Sequence, residues 1–228
     1  MILTTLTILT MSKLNSLLEA PMRDIKLGIL ALFAVIVSGF VQPAFADAKT
    51  EAFVKEHADK VLTLLDNQTL DATARTETFI GYMDEFSNID RIAAFVIGKY
   101  SRRFSPEDLS AYRAAFRLYN LTAYEMQFEE YRGSAIEITG STDRSATDSI
   151  VDTIVRRQNG DTQDVRWRVL SRNGKYEVVD IALNFDGSLL WLAIEQRAQF
   201  LDLLDRTNGS ADALVSKLEE LTAELRED

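Results

Sequence analysis

The chain has 228 residues, of which 46% are hydrophobic and 26% charged, the proportions of a folded globular protein rather than a disordered or fibrous one. Its 35 acidic and 25 basic residues give a formal net charge of −10, which argues against a nucleic-acid-binding protein. The chain has no cysteine, so disulfides, zinc–thiolate sites, iron–sulfur clusters and thiol nucleophiles are excluded.

The first 46 residues have the pattern of a leader that is removed on export. Arg23 and Lys26 precede a fifteen-residue apolar run at 27–41, and Ala44-Phe45-Ala46 follows. These are the three parts of a secretory signal peptide, so we expect cleavage after Ala46 and a single domain at 47–228. A retained membrane anchor is the alternative, although fifteen residues fall short of the roughly 20 that span a bilayer.

The first half of this domain is predicted to be helical. Apolar stripes indicate helices at 49–68 and 72–86. A third helix begins near Asn88, and its apolar face is formed by Ile89, Ile92, Ala93, Val96 and Tyr100. Ser105-Pro106 is a strong start signal for a long fourth helix, which is expected to run to about Tyr131 and to end at Gly133.

The pattern then changes to that of strands. Segments 135–141, 148–158, 163–171 and 175–185 are rich in β-branched residues, and Asn159-Gly160 and Asn173-Gly174 are hairpin signals between them. Helices are predicted again at 188–207 and 211–226. The predicted fold class is therefore α+β, with an antiparallel meander sheet of about four strands packed against a layer of helices.

Few side chains in this domain could support catalysis. The one histidine, His57, lies on an amphipathic helix beside Glu56 and is predicted to be a surface residue. With one histidine and no cysteine, most nucleophile–base triads and zinc sites cannot be built. Asp180, on an apolar strand, is the single candidate for an isomerase-like enzyme; a structural pair with an arginine is the alternative.

The excess in this sequence is aromatic. Tyrosine and phenylalanine recur along 112–131, at Tyr112, Phe116, Tyr119, Tyr124, Phe128 and Tyr131. At least half of these residues must be core, and the others are candidates to line a cavity between the sheet and the helices.

Several segments together resemble the toluene-tolerance/MlaC family of periplasmic phospholipid-binding proteins. The segment from Asp90 to Tyr100 is similar to the family's Ile-Ala-x-x-Val-Leu-Gly-x-Tyr stretch. Val165-x-Trp167-x-Val169 and the segment Gly174 to Asp180 resemble its paired strands, and Gly187-Ser188-Leu189 and Arg197-x-x-Phe200 follow in the same order. The resemblance covers about residues 49–225. One departure is a longer corner, because Arg197 comes ten residues after Gly187 instead of about seven.

The resemblance implies a soluble periplasmic shuttle that carries phospholipid between the outer and inner membranes. Its implied partners are phospholipid, an outer-membrane lipoprotein complex and an inner-membrane ABC-type lipid transporter, both contacted transiently by a monomer. It implies no catalytic residue, no metal and no cofactor, only bound phospholipid as cargo. A hopanoid-associated relative, a non-lipid binding module and an enzyme using Asp180 remain alternatives.

The site residues are predicted from the apolar stripes that face one another in such a fold. The cavity wall is expected to comprise Ile92, Val96, Tyr100, Phe116, Tyr119, Trp167, Val169, Val179 and Ile181. The basic residues that could surround a lipid headgroup at its rim are Lys99, Arg102, Arg103 and Arg197.

Overall fold

The predicted α+β class is confirmed by a computed structural model, which describes residues 48–185 and 187–227. The helices are α1 (Ala48–Asp66), α2 (Ala72–Phe86), α3 (Ile89–Ile97), α4 (Pro106–Glu125), α5 (Phe128–Tyr131), α6 (Leu192–Arg206) and α7 (Ala211–Glu227), and a 3₁₀-helix spans Gly98–Arg102. The strands are β1 (Ala135–Ser145), β2 (Asp148–Arg156), β3 (Thr162–Arg172), β4 (Lys175–Phe185) and β5 (Ser188–Trp191). The predicted signal peptide and its cleavage site lie outside the described residues.

Side-chain caps fix the starts of three helices. The Asp71 carboxylate accepts a hydrogen bond from the Ala74 amide at 2.8 Å, and Asn88 Oδ1 accepts one from the Arg91 amide at 2.9 Å. At α4 the Ser105 hydroxyl accepts from the Asp108 amide, whose carboxylate accepts in return from the Ser105 amide. These bonds satisfy backbone donors that have no partner within the helix, as the Ser105-Pro106 signal predicted.

Three predicted boundaries are wrong. The third helix stops at Ile97 because Gly98 adopts a φ of +50°, and Tyr100 lies in the 3₁₀-helix that follows. The long helix ends at Glu125, and α5 is a separate turn. Residues Ser188–Trp191 form a fifth strand instead of the start of a helix.

The five strands form one antiparallel meander with the order β1-β2-β3-β4-β5. The pairing of β1 with β2 shifts register twice, between Ile138 and Gly140 and between Asp143 and Ser145. A further shift at Arg168/Val169 separates the two halves of the β3–β4 pairing. Beyond β5, the outer edge of β4 is met by a single parallel bridge from Ser87 to Val178.

The core divides into two parts. One, called here the helical cluster, is built by α2, α3, α4, α6 and α7 with the end of α1, and its largest fully buried members are Tyr112, Phe116, Ile97, Leu204, Leu214 and Leu218. The other, called the sheet cluster, joins α1 and the end of α2 to one face of the sheet; its buried members are Val54, Ala58, Phe86, Ile136, Val151, Val155, Val165, Val169 and Val178. The helices α3 and α6 meet the sheet at β4.

Candidate functional site

The apolar face of the sheet holds the first group of predicted cavity residues. Val169 is buried, while Trp167 and Ile181 are half-buried. Both half-buried side chains pack against the group that contains Val169 and against the group that contains Val165. The Trp167 indole donates to Thr153 Oγ1 at 2.9 Å, and that hydroxyl donates to the Val165 carbonyl at 3.1 Å. The polar groups within this apolar face are therefore satisfied, so the indole is held in one orientation.

Aromatic rings close one margin of this face. The ring of Phe53 lies 5.6 Å from Phe86 and 5.7 Å from Tyr176, and Phe86 meets Trp167 edge to face at 5.5 Å. The imidazole of His57 lies 4.4 Å from the Phe53 ring and is half-buried. The predicted surface histidine is partly exposed, and its ring packs against the aromatic margin.

The helical cluster holds the second group. Val96, Tyr100 and Phe116 are buried in it, and Ile92 and Tyr119 pack against it. The Tyr112 hydroxyl donates to the Ala93 carbonyl at 3.0 Å and ties α4 to α3. Burial raises the pKa of Tyr112 far above its usual range, so its hydroxyl stays protonated and remains a donor.

The residues predicted to line one cavity are thus divided between the helical cluster and the sheet cluster. Val179 is half-buried beside the register shift and belongs to neither cluster. Two helices connect the clusters, because α1 contributes Val54 to one and Leu64 to the other, and α2 contributes Phe86 and Phe79 in the same way. The sequence predicts the apolar face of α1 that contains Val54, but it does not predict that this face packs against the sheet. A cavity between the clusters stays a prediction.

The predicted rim residues lie together at the end of α3 and on α6. Lys99 pairs with Asp205 at 2.9 Å, and the Tyr100 hydroxyl donates to the same carboxylate at 2.6 Å. These two bonds lower the pKa of Asp205. The Arg197 guanidinium donates to the Phe95 carbonyl and lies 4.9 Å from the Phe95 ring. A Cβ at residue 98 would approach the Arg197 guanidinium to 2.5 Å, so Gly98 leaves the room that this arginine needs.

Asp180 has a structural environment of its own. It is 6% exposed, and its Oδ1 accepts from the amides of Ile181 at 2.9 Å and Ala193 at 2.8 Å. Arg168 lies opposite it in the β3–β4 register but directs its guanidinium to Asp148. Burial raises the pKa of Asp180, and the two amides partly offset this. The carboxylate thus caps the start of α6 from a neighbouring strand.

Other concave surfaces lie between helices of the described residues. A groove of about 490 Å³ between α3 and α4 includes Asp90, Arg113 and Arg117, and one of about 440 Å³ lies between α1 and α2. Both open to solvent, and neither includes a predicted cavity residue. Within residues 48–185 and 187–227, no group of acidic and histidine side chains is arranged to hold a metal ion. No helix in the same ranges is long and apolar enough to cross a membrane.

Comparison with known proteins agrees with this architecture. The family model described as MlaC protein matches residues 55–220. The chain belongs to the MlaC family. A solved structure with the same fold is the phospholipid-binding protein from Ralstonia solanacearum in complex with a phospholipid; the match has a TM-score of 0.66 and 22% identity, and covers 78% of this chain and 98% of that one. No protein of curated function matches this MlaC-family chain in sequence.

Proposed function

We propose that this protein is a periplasmic phospholipid carrier that shuttles lipid between the outer and inner membranes. The observation that carries the proposal is its membership of the MlaC family. The shared fold supports it, because the aligned region covers 98% of a protein whose structure contains a bound phospholipid.

The physical need for such a carrier is large. Each CH₂ group moved into water costs about 0.8 kcal/mol, so one sixteen-carbon chain costs on the order of 10 kcal/mol. A protein that surrounds the acyl chains with apolar side chains removes most of this barrier. Such a task calls for apolar residues in quantity, and both clusters of this fold supply them.

The proposed position of the acyl chains is the junction between the helical cluster and the sheet cluster. Of the predicted wall residues, Val96 belongs to the helical cluster and Val169 to the sheet cluster. Each of these side chains already packs within its own cluster, so entering chains must move the clusters apart. The helices α1 and α2, which contribute to both clusters, are the elements whose displacement this requires.

The environment of Asp180 favours a binding protein over an isomerase-like enzyme. A catalytic base needs a lone pair that can reach a substrate proton. Here the residue is only 6% exposed, and its Oδ1 accepts from two amides, one of which, that of Ala193, belongs to the first turn of α6. We therefore assign Asp180 to the positioning of α6 and propose that lipid is carried without chemical change.

We propose further that the carrier acts as a monomer and meets its membrane partners transiently, an outer-membrane lipoprotein complex on one side and an ABC-type transporter on the other. A shuttle has to leave each partner after transfer, and fast exchange requires weak binding.

The test is mass spectrometry of lipid that copurifies with the protein isolated from the periplasm. The expected result is near-stoichiometric phospholipid, and a hopanoid in its place would identify the alternative cargo. A protein that is folded by circular dichroism and carries no lipid, and that takes up none from phospholipid vesicles, would contradict the proposal.

A further inference from the structure

The predicted rim residues belong to a larger surface that combines basic and apolar side chains. Phe95 is 44% exposed and Ile194 49% exposed, although both are large and apolar. Arg197 connects them, because its guanidinium lies over the Phe95 ring and Ile194 is one helical turn before it on α6. We call this surface the cationic patch; its members are Phe95, Lys99, Arg102, Arg103, Ile194 and Arg197.

The 3₁₀-helix groups three of the charges. Side chains three residues apart eclipse one another in this helix, so Lys99 and Arg102 point in the same direction. Lys99 and Arg103 both lie near the Tyr100 ring, at 5.1 and 5.5 Å from its centroid. Tyr100 itself is buried and fixes the backbone from which they project.

Most of this positive charge is not neutralised within the protein. Lys99 pairs with Asp205, but among residues 48–185 and 187–227 no carboxylate forms an ion pair with Arg102, Arg103 or Arg197. Elsewhere, arginines of the same chain do pair with acids, as Arg166 does with Asp152 and Arg168 with Asp148. Unpaired arginines beside exposed apolar side chains, in a chain of net charge −10, mark a surface suited to an anionic partner.

We propose that the cationic patch docks the protein on the surface of an anionic phospholipid bilayer. Basic side chains are attracted to the headgroups, and Phe95 and Ile194 can enter the boundary between headgroups and acyl chains. The net charge does not prevent this, because at physiological salt the field of distant acids is screened beyond about 8 Å. An uneven distribution of charge of this kind orients the protein as it approaches the bilayer.

This proposal rests on the proposed carrier function, because docking on a bilayer serves lipid uptake and release. Binding to a bilayer can nevertheless be measured in an assay that involves no lipid transfer. The full protein is used in the form that the cell exports, with its N-terminus determined by intact mass. Sedimentation with vesicles of phosphatidylcholine and phosphatidylglycerol at 70:30 is compared with sedimentation with phosphatidylcholine alone. The double variant Arg102→Glu, Arg103→Glu reverses two charges that form no ion pair among residues 48–185 and 187–227. Its control, Arg172→Glu, Lys175→Glu, makes the same change of charge on the exposed β3–β4 hairpin.

The expected result is binding to the anionic vesicles only, weakened about 30-fold or more by the patch variant and much less by the control. Phe95→Ser should weaken binding to the anionic vesicles several-fold, whereas Leu118→Ser, at a similarly exposed position on α4, should not.

Equal losses in the patch and control variants, or no binding of wild type to anionic vesicles at physiological salt, would overturn the proposal. So would a patch variant that fails only in transfer from a membrane-bound protein partner, since the patch would then face protein. A wild type that binds vesicles but never carries lipid would instead contradict the carrier function and leave the docking surface in place.

Discussion

The helical cluster and the sheet cluster bury apolar surface in different ways. The helical cluster contains large side chains that are fully enclosed, such as Phe116 and Leu204, and Tyr112 ties two of its helices together through a buried hydroxyl. The buried part of the sheet cluster is mostly valine with one ring, that of Phe86, and the rings of Phe53, Trp167 and Tyr176 are only half-buried at its margin.

This difference indicates which part can separate around a ligand. Opening the helical cluster would expose whole aromatic and leucine side chains, each worth about 1.5–3 kcal/mol of burial. Separating α1 from the sheet would expose smaller side chains and rings that already touch solvent. We therefore expect the helical cluster to act as a scaffold and the sheet cluster, with α1, to move when acyl chains enter the junction between them.

The largest expected effect is a loss of stability in the scaffold. Phe116→Ala removes a ring that is 1% exposed, which should lower the free energy of unfolding by about 3–5 kcal/mol in urea denaturation. Leu118→Ala on the same helix is the control, since Leu118 is 46% exposed and should cost less than about 0.5 kcal/mol. Similar losses for the two variants would mean that α4 does not anchor the helical cluster.

Overpacking each cluster in turn sharpens the comparison. Val96→Phe and Val169→Phe both place a ring where a buried valine stands, and each should cost about 1–3 kcal/mol of stability if the site cannot open. We expect Val169→Phe to reduce copurifying lipid and Val96→Phe to lower the melting temperature with lipid retained. Loss of lipid from both variants would show that both walls line the ligand. Full lipid content with a lowered melting temperature in Val169→Phe would remove the sheet cluster from the site.

The Asp180 carboxylate, which caps α6 from strand β4, should make the stability of the protein depend on pH in a direction that can be predicted. Burial raises the pKa of Asp180 above its ordinary value of 3.8, so the folded state holds its proton more tightly than the unfolded chain does. The contribution of this group to stability is fully present below that value and is lost as the pH rises through the folded-state pKa. Asp180→Asn keeps an acceptor for the Ala193 amide and should gain stability relative to wild type, on the order of 1 kcal/mol, as the pH rises from about 4 to 7.

The control for this measurement has the opposite sign. The pKa of Asp205 is lowered by its bonds to Tyr100 and Lys99, so its contribution is present at neutral pH and is lost as the pH falls. Asp205→Asn should therefore fall behind wild type as the pH rises toward the ordinary value of 3.8, and the difference should change little between about pH 4 and 7. A stability difference for Asp180→Asn that does not change with pH would contradict the assignment.

The smallest expected effect concerns salt. If apolar contacts in the sheet cluster hold the lipid, the amount of lipid that copurifies should change little between low and high ionic strength. Docking through the cationic patch should weaken over the same range, so the two measurements together separate cargo binding from membrane approach. A steep loss of bound lipid with added salt would mean that headgroup charge holds the ligand.

Local signals in the sequence predicted most of the fold, because they act through neighbouring residues. The Ser105 cap and the Asn-Gly hairpins are confirmed by the positions of α4 and of the β2–β3 and β3–β4 turns. The Leu189-Leu190-Trp191 segment is predicted from the sequence to be helical, as part of a helix at 188–207. It is a strand because β4 offers it an open edge, which is a tertiary effect that periodicity does not show.

The site was less predictable for a related reason. Periodicity shows that the faces carrying Val96 and Val169 are buried, but it cannot show that they are buried against different partners. The patch around Arg197 depends on the close approach of α6 to Gly98, two segments about one hundred residues apart. The residue types were visible in the sequence, whereas the exposure of Phe95 and Ile194 beside them requires the three-dimensional structure.

The two register shifts in β1 have a consequence for how the protein behaves at high concentration. A long, regular outer strand offers unpaired backbone groups to another molecule and can seed aggregation. In β1 the shifts at Ile138/Gly140 and Asp143/Ser145 break that regular ladder, and Glu137 and Arg144 place charges along it. At the other side the sheet ends in a strand of four residues. Both borders of the sheet are therefore poor templates for intermolecular strand pairing, which would suit the proposed carrier, whose apolar surface would be exposed when a ligand enters or leaves.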